Sequence, residues 1–223
     1  MRAFERLDDG GADGLAIGRV TYELLRPVPL GELRLEAALV RPGRRVQLLE
    51  GSMWTPEGVE VVRARALRVA RAPVSAGPVA VPPPPGPETG RPNDFRRSDL
   101  PLFPVDAMDI RFVAGGFYEL GPSTAWFRLK LPLVAGEEPS GRQRLAAAAD
   151  FPNGISTPLS WEDFVFINPD LTVVIERDPE GEWIGLEASM RVVEGGLGVS
   201  EAVLYDARGR VGRSMQTLYV ARR

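Results

Sequence analysis

The sequence predicts an α+β fold made of two related antiparallel sheets, each curled around a helix. Three observations point there: a gap-free internal repeat, strand-like alternation broken by turn chemistry, and one alanine-rich helical stretch. The repeat aligns Thr21 to Arg71 with Thr172 to Arg222 at a constant shift of 151, with 11 identities over 51 positions. Unrelated segments of this composition would share about three or four. The identities are spread along the whole segment, from Thr21/Thr172 and Arg26/Arg177 through Leu35/Leu186, Glu36/Glu187 and Ala37/Ala188 to Arg71/Arg222.

Each copy reads as four consecutive strands. In the first they are Ala16 to Leu25, Leu33 to Val40, Arg45 to Trp54 and Val59 to Val69. Leu33, Leu35, Ala37 and Leu39 alternate with Arg34 and Glu36, the two-residue period of a strand with one buried face. Pro27 to Gly31, Arg41-Pro42-Gly43 and Pro56-Glu57-Gly58 supply the turns. In the second copy the strands are Phe164 to Glu176, Trp183 to Val193, Val199 to Tyr205 and Val211 to Val220. A four-strand meander with one apolar face needs a cover. For the second copy that cover is a helix opening at Pro139 and running through the Ala146 to Ala149 run to Asp150, after a strand pair at Asp109 to Val113 and Thr124 to Leu131. Only the tail of such a helix, Arg2 to Leu7, precedes the first copy, so the N-terminal unit reads as truncated.

Between the copies, 10 of the 21 prolines fall from Pro73 to Pro104. That density predicts a semi-rigid, polyproline-like linker. The domains expected are therefore an N-terminal unit over 1–72, a linker over 73–104 and a C-terminal unit over 105–223.

Composition removes several chemistries. The chain of 223 residues has no cysteine and no histidine. Thiolate nucleophiles, disulfides, Ser-His-Asp and Cys-His catalysis, and His- or Cys-ligated metals are excluded. What remains is carboxylate, amide, hydroxyl and backbone chemistry. Lys130 is the single lysine and lies in a strand-like run, so a Schiff-base cofactor is not expected. A net charge of −3 with both signs interspersed gives no field to attract nucleic acid or an anionic membrane. The N-terminus lacks an apolar signal core and no run approaches the ~18 apolar residues of a membrane span, so the expectation is a cytoplasmic protein. The glutamates at 119, 137 and 138 lack the spacing of a metal site. Gly195-Gly196-Leu197-Gly198 lacks the context of a dinucleotide loop and reads as a hairpin turn.

Several stretches carry a resemblance. Asn168-Pro169-Asp170-Leu171-Thr172, Gly181-Glu182-Trp183-Ile184-Gly185, Leu204 to Gly212 and Ser214-Met215-Gln216 are similar to the C-terminal half of the acyl-CoA thioesterases with a double hotdog fold. Val105 to Ala135, the Glu137-Glu138-Pro139 helix start and Leu24 to Gly31 resemble the same family, so the likeness covers nearly the whole chain outside the linker. It implies hydrolysis of an acyl-CoA thioester by a carboxylate, a glutamine amide and a hydroxyl that hold and activate water, with no cofactor.

On the matching positions, the resemblance makes Asp170 the carboxylate and Gln216 the amide. The hydroxyl falls at Met190, leaving Ser189 beside it as the candidate, although adjacent strand residues face opposite ways. Asp170 also fits an Asx-turn after Pro169, and Gln216 a solvent-facing strand position. Subtracting 151 sets Asp170 against Arg19 and Gln216 against Arg65, which confines any such site to the second unit. The alternative function is a non-catalytic hotdog module that binds acyl-CoA or serves as an assembly subunit, favoured by Met190 and the short N-terminal unit. Exposed sheet edges predict a homo-oligomer.

Overall fold

A computed structural model describes residues 1–8, 14–72, 81–95 and 102–223. Twelve strands form one antiparallel sheet. The first meander is β1 (Leu15–Leu24), β2 (Arg34–Arg41), β3 (Val46–Trp54) and β4 (Glu60–Ala70). A two-residue β5 (Arg91–Pro92), then β6 (Met108–Ala114) and β7 (Ser123–Leu129), lead into the second half. The second meander is β8 (Phe164–Ile167) with β9 (Asp170–Ile175), β10 (Ile184–Val192), β11 (Leu197–Asp206) and β12 (Gly209–Arg222). The helices are α1 (Arg2–Glu5), α2 (Gly141–Ala148) and α3 (Pro152–Ile155).

The strand order β2-β3-β4-β1-β9-β12-β11-β10-β7-β6-β5 contains the duplication. Read outward from its middle, β1-β4-β3-β2 mirrors β9-β12-β11-β10. At the seam Thr21 pairs with Thr172, its own repeat counterpart, and their hydroxyls lie 3.1 Å apart. A pseudo-twofold axis therefore passes through this pair. The two separate sheets expected from the sequence are instead one continuous sheet, because β1 and β9 zip together over five residue pairs rather than merely lying side by side.

A second correction concerns the repeat register. Glu50 pairs with Arg65 in the first copy, whereas Ser200 pairs with Gln216 in the second. The second hairpin is thus one residue shorter, and from there the structural shift is 150. Gln216 corresponds to Ala66, not Arg65, and both face the core with essentially no exposure. The four identities from Leu67/Leu218 onward are out of structural register by one.

The linker region is more engaged than its proline content predicts. Residues 73–80 and 96–101 lie outside the described residues. In the part between, the Pro85 carbonyl accepts from the Trp126 indole N–H at 2.7 Å, and Arg91–Pro92 pairs with β6 as an edge strand, where a proline is tolerated.

α2 lies against β7 and β10. Its start is fixed by Ser140, whose Oγ accepts from the Gln143 N–H at 3.1 Å and donates to Glu5 Oε1 at 2.6 Å. Leu145, Ala148 and Ala149 are buried and belong to the core cluster with Ile184, Leu186, Ala202 and Leu204. Small side chains at 148 and 149 let α2 settle deeply into the sheet. α1 occupies the concave side of the first meander, with Phe4 buried there and its ring over Gly51. No described helix is long and apolar enough to cross a membrane.

Candidate functional site

The long first strand expected over Phe164 to Glu176 is broken at Asn168-Pro169. Proline has no N–H for the ladder, and the two pieces pair with β12 at separate places. β9 meets Gly212 to Met215, and β8 meets Tyr219 to Arg222. The positions between, 216 to 218, lack a paired residue on this side. The Thr217 N–H is satisfied by Asp170, whose Oδ1 accepts it at 2.7 Å.

This break settles where the expected site residues fall. Met215 and Thr172 are opposite each other, so Leu171 shares the inner face with Gln216 and Asp170 lies on the outer face with Thr217. Burial agrees: Leu171, Val173 and Ile175 are in the core and Val174 is exposed. The expected convergence of Asp170 and Gln216 is not present, because strand parity sends them to opposite faces. Ser189 is likewise on the outer face, next to Met190, which is buried against Leu218 and Val220. Gln216 itself is fully buried, which rules out a solvent-facing strand position.

The carboxylate that meets Gln216 is Asp150, just past the end of α2. Gln216 Nε2 donates to Asp150 Oδ1 at 2.6 Å and reaches its backbone carbonyl at 3.2 Å. Asn168, freed by the strand break, donates from Nδ2 to the same Oδ1 at 2.9 Å. Gln216 Oε1 accepts from the Asn153 N–H at 3.2 Å, which fixes the amide with its NH2 toward Asp150. Two amides therefore hold one carboxylate oxygen, and Oδ2 has no hydrogen bond to a described residue.

Asp150 as a residue is open to solvent through a cleft, yet protein crowds its carboxyl on the other sides. That desolvation is the larger influence and raises its pKa above the ordinary carboxylate value. The bonds from Asn168 and Gln216 act in the lowering direction and do not cancel it.

The cleft beside Asp150 encloses about 530 Å³ between α2, α1 and the concave faces of β1 and β4. Tyr22, Leu24, Val62, Leu133, Ala147 and Leu171 give it a mostly apolar wall. Behind Gln216, three buried polar atoms have no protein partner among the described residues: Ser200 Oγ, Ser214 Oγ and Asn153 Oδ1. Ser200 is directly across the ladder from Gln216, and Ser214 is two residues before it on the same face. This polar patch lies on the inner face beside the buried apolar Leu171 and Ala202.

A sheet of this topology with a polar cluster under a helix end is a hotdog arrangement, and comparison bears this out. Residues 1–69 match the model for the acyl-CoA thioesterase N-terminal domain, and residues 78–220 match that for the acyl-CoA thioesterase C-terminal domain. The chain belongs to the acyl-CoA thioesterase family. Among solved structures it is similar to an acyl-CoA thioesterase II, TesB2, from Mycobacterium marinum, at 16% identity over 99% of this chain and 84% of that one, with a TM-score of 0.70. A conserved protein with hot dog fold from Alicyclobacillus acidocaldarius shares 19% identity over 93% of this chain and 78% of its own, with a TM-score of 0.72. The tesB protein of Mycobacterium avium subspecies paratuberculosis shares 14% over 94% and 80%, with a TM-score of 0.66. At these identities the likeness establishes the fold. No curated protein matches the chain at a significant level.

Proposed function

We propose that the chain hydrolyses acyl-CoA thioesters, with Asp150 as the general base. The observation that carries this reading is a carboxylate gripped by two amides at the wall of an apolar cleft. The acyl chain lies in the cleft and the thioester carbonyl faces Asp150. Water hydrogen-bonds to Oδ2, gives up a proton to it and attacks the acyl carbon. The C–S bond then breaks, and Asp150 returns the proton to the departing thiolate, yielding a carboxylic acid and free CoA.

Crowding suits Asp150 to this work, since a base with a raised pKa accepts a proton more readily at neutral pH. Gln216 and Asn168 are positioning residues. Both of the Gln216 amide's donor contacts go to Asp150, so it orients the base rather than holding the oxyanion. The uncommitted hydroxyls of Ser200 and Ser214 lie behind that amide, on the inner face where Ser189 is not.

Self-association is part of the same reading. β2 is an edge of the sheet among the described strands, with Leu35 and Val40 exposed. On the outer face Val174, Met215 and Tyr219 are also exposed, and such surfaces favour a second copy. The test of function is thiol release from a panel of saturated acyl-CoAs of graded length. A chain that binds these ligands without releasing thiol would be the non-catalytic module instead.

A further inference from the structure

The cleft does not end at α1. Met1, Ala3, Tyr22, Leu35 and Val62 line both it and a second, smaller cavity of about 110 Å³ beneath the first meander. The new walls are Ala37, Gly51, Met53 and Ala64, and the floor is the Phe4 ring. Three of these residues carry a single methyl or nothing, so the hole exists because the sequence puts small side chains there. Gly51 sets the floor height, since a Cβ at that position would meet the Phe4 ring at 3.1 Å and the Glu36 carbonyl at 3.2 Å.

The floor is also held in place. Buried Arg68 donates from Nη2 to the carbonyls of Phe4 at 2.6 Å and Leu7 at 2.8 Å, tying α1 to β4. From the other side Glu5 accepts from Ser140 Oγ and Gln143 Nε2, both at 2.6 Å, tying α1 to α2. A ring anchored to two elements acts as a fixed stop rather than a mobile lid.

We propose that this cavity receives the terminal carbons of an unbranched acyl chain and that Phe4 is the residue that sets the accepted length. The proposal rests on the cleft being the acyl site, as argued above. At about 30 Å³ for each water-sized group, the cavity holds roughly three or four methylenes.

The experiment measures binding of non-hydrolysable alkyl-CoA thioethers of increasing length by calorimetry, beside thiol release from the matching acyl-CoAs. Affinity should rise about fourfold per methylene until the chain meets Phe4, and then stop. Ala37→Leu adds three carbons to the cavity wall. It should move that stop about three carbons shorter and lower the affinity ratio of the longest accepted ligand to a short one by roughly 10- to 60-fold. Phe4→Leu, which retains most of the buried volume, should move the stop outward. Unshifted length profiles in both folded variants would overturn the proposal even where thiol release is intact. Length-dependent binding without thiol release would sink the hydrolytic reading and leave the length stop standing.

Discussion

Replacing Asp150 with asparagine separates chemistry from structure. Both amide donors bind Oδ1, and an asparagine carbonyl in that place accepts the same bonds from Gln216 at 2.6 Å and Asn168 at 2.9 Å. What disappears is the basic oxygen Oδ2. Loss of a general base costs about 10²- to 10⁴-fold in rate, or roughly 3 to 5 kcal/mol of barrier. Stability should move the other way. A carboxyl whose folded pKa is raised by burial binds its proton more tightly folded than unfolded, so its ionisation weakens the fold as pH rises past the ordinary carboxylate range. The neutral amide removes that penalty at pH 7. The expected outcome is a large fall in kcat/KM by thiol release with a melting temperature equal to or above that of the parent. An unchanged rate would refute the assignment of Asp150, and a lost rate accompanied by a lower melting temperature would refute the claim that its charge is carried for function.

Three further outcomes follow from the same geometry. Asn168→Ala removes one donor from Asp150, so the acid limb of the pH–rate profile should move to higher pH. The neutral rate should drop roughly tenfold, the size of one charge-assisted hydrogen bond. Asp170→Asn keeps an acceptor for the Thr217 N–H and Ser189→Ala alters the outer face alone, so thiol release should stay within about twofold of the parent in both, a span of roughly 0.4 kcal/mol; a hundredfold loss in Asp170→Asn would restore Asp170 as the base. Arg177→Ala strands the buried Asp206, whose carboxylate it grips at 2.5 and 2.6 Å, and should cost about 3 kcal/mol in urea unfolding, the low end for such a pair because Arg177 is a third exposed. Burial pushes the Asp206 pKa up, but Arg177 and the N–H groups of Glu180 and Arg208 outweigh it and hold it below its ordinary value. The parent should therefore lose this stability as pH falls from near 4 through that lower value, and the variant should show a shallower acid limb.

The meanders were legible because alternation is a local signal. Seven of the eight strands expected in the two copies appear within about two residues of their expected ends, and the eighth is β8 and β9 with a break. The break itself was written in Asn168-Pro169, and parity was readable too. Leu171, Val173 and Ile175 mark the buried face of β9, so Asp170 belongs with Thr172 on the other. In β12, Gln216 keeps step with Leu218 and Val220, which announces its burial. Motif likeness alone points to Asp170, a carboxylate that this parity sets on the face opposite Gln216. Asp150 was harder to find, because it ends a helix rather than sitting on a strand. Its approach to Gln216 depends on how α2 docks, a tertiary fact with no period in the sequence. The repeat could not point to it either, since the alignment begins at Thr172 and leaves Asp150 without a counterpart.

The pseudo-twofold axis sets the amides around Asp150 in the second half against apolar residues in the first. In structural register Gln216 corresponds to Ala66 and Asn168 to Ile17, both buried in the core. The positions that grip a carboxylate in the second half are hydrocarbon in the first. Burying an unpaired amide there would cost about 1–3 kcal/mol, so apolar side chains at 17 and 66 are the more stable choice where no group receives an amide. The same replacement makes the inner face of the first half apolar at 17 and 66, and the cleft from Asp150 runs onto β1 and β4. Ala66→Gln tests this division. Buried without a partner, the new amide should destabilise the fold by about 1–3 kcal/mol and leave the pH–rate profile unmoved; a variant as stable as the parent would mean that the amide finds a partner beside the buried Gln47 and Arg68 of the same face.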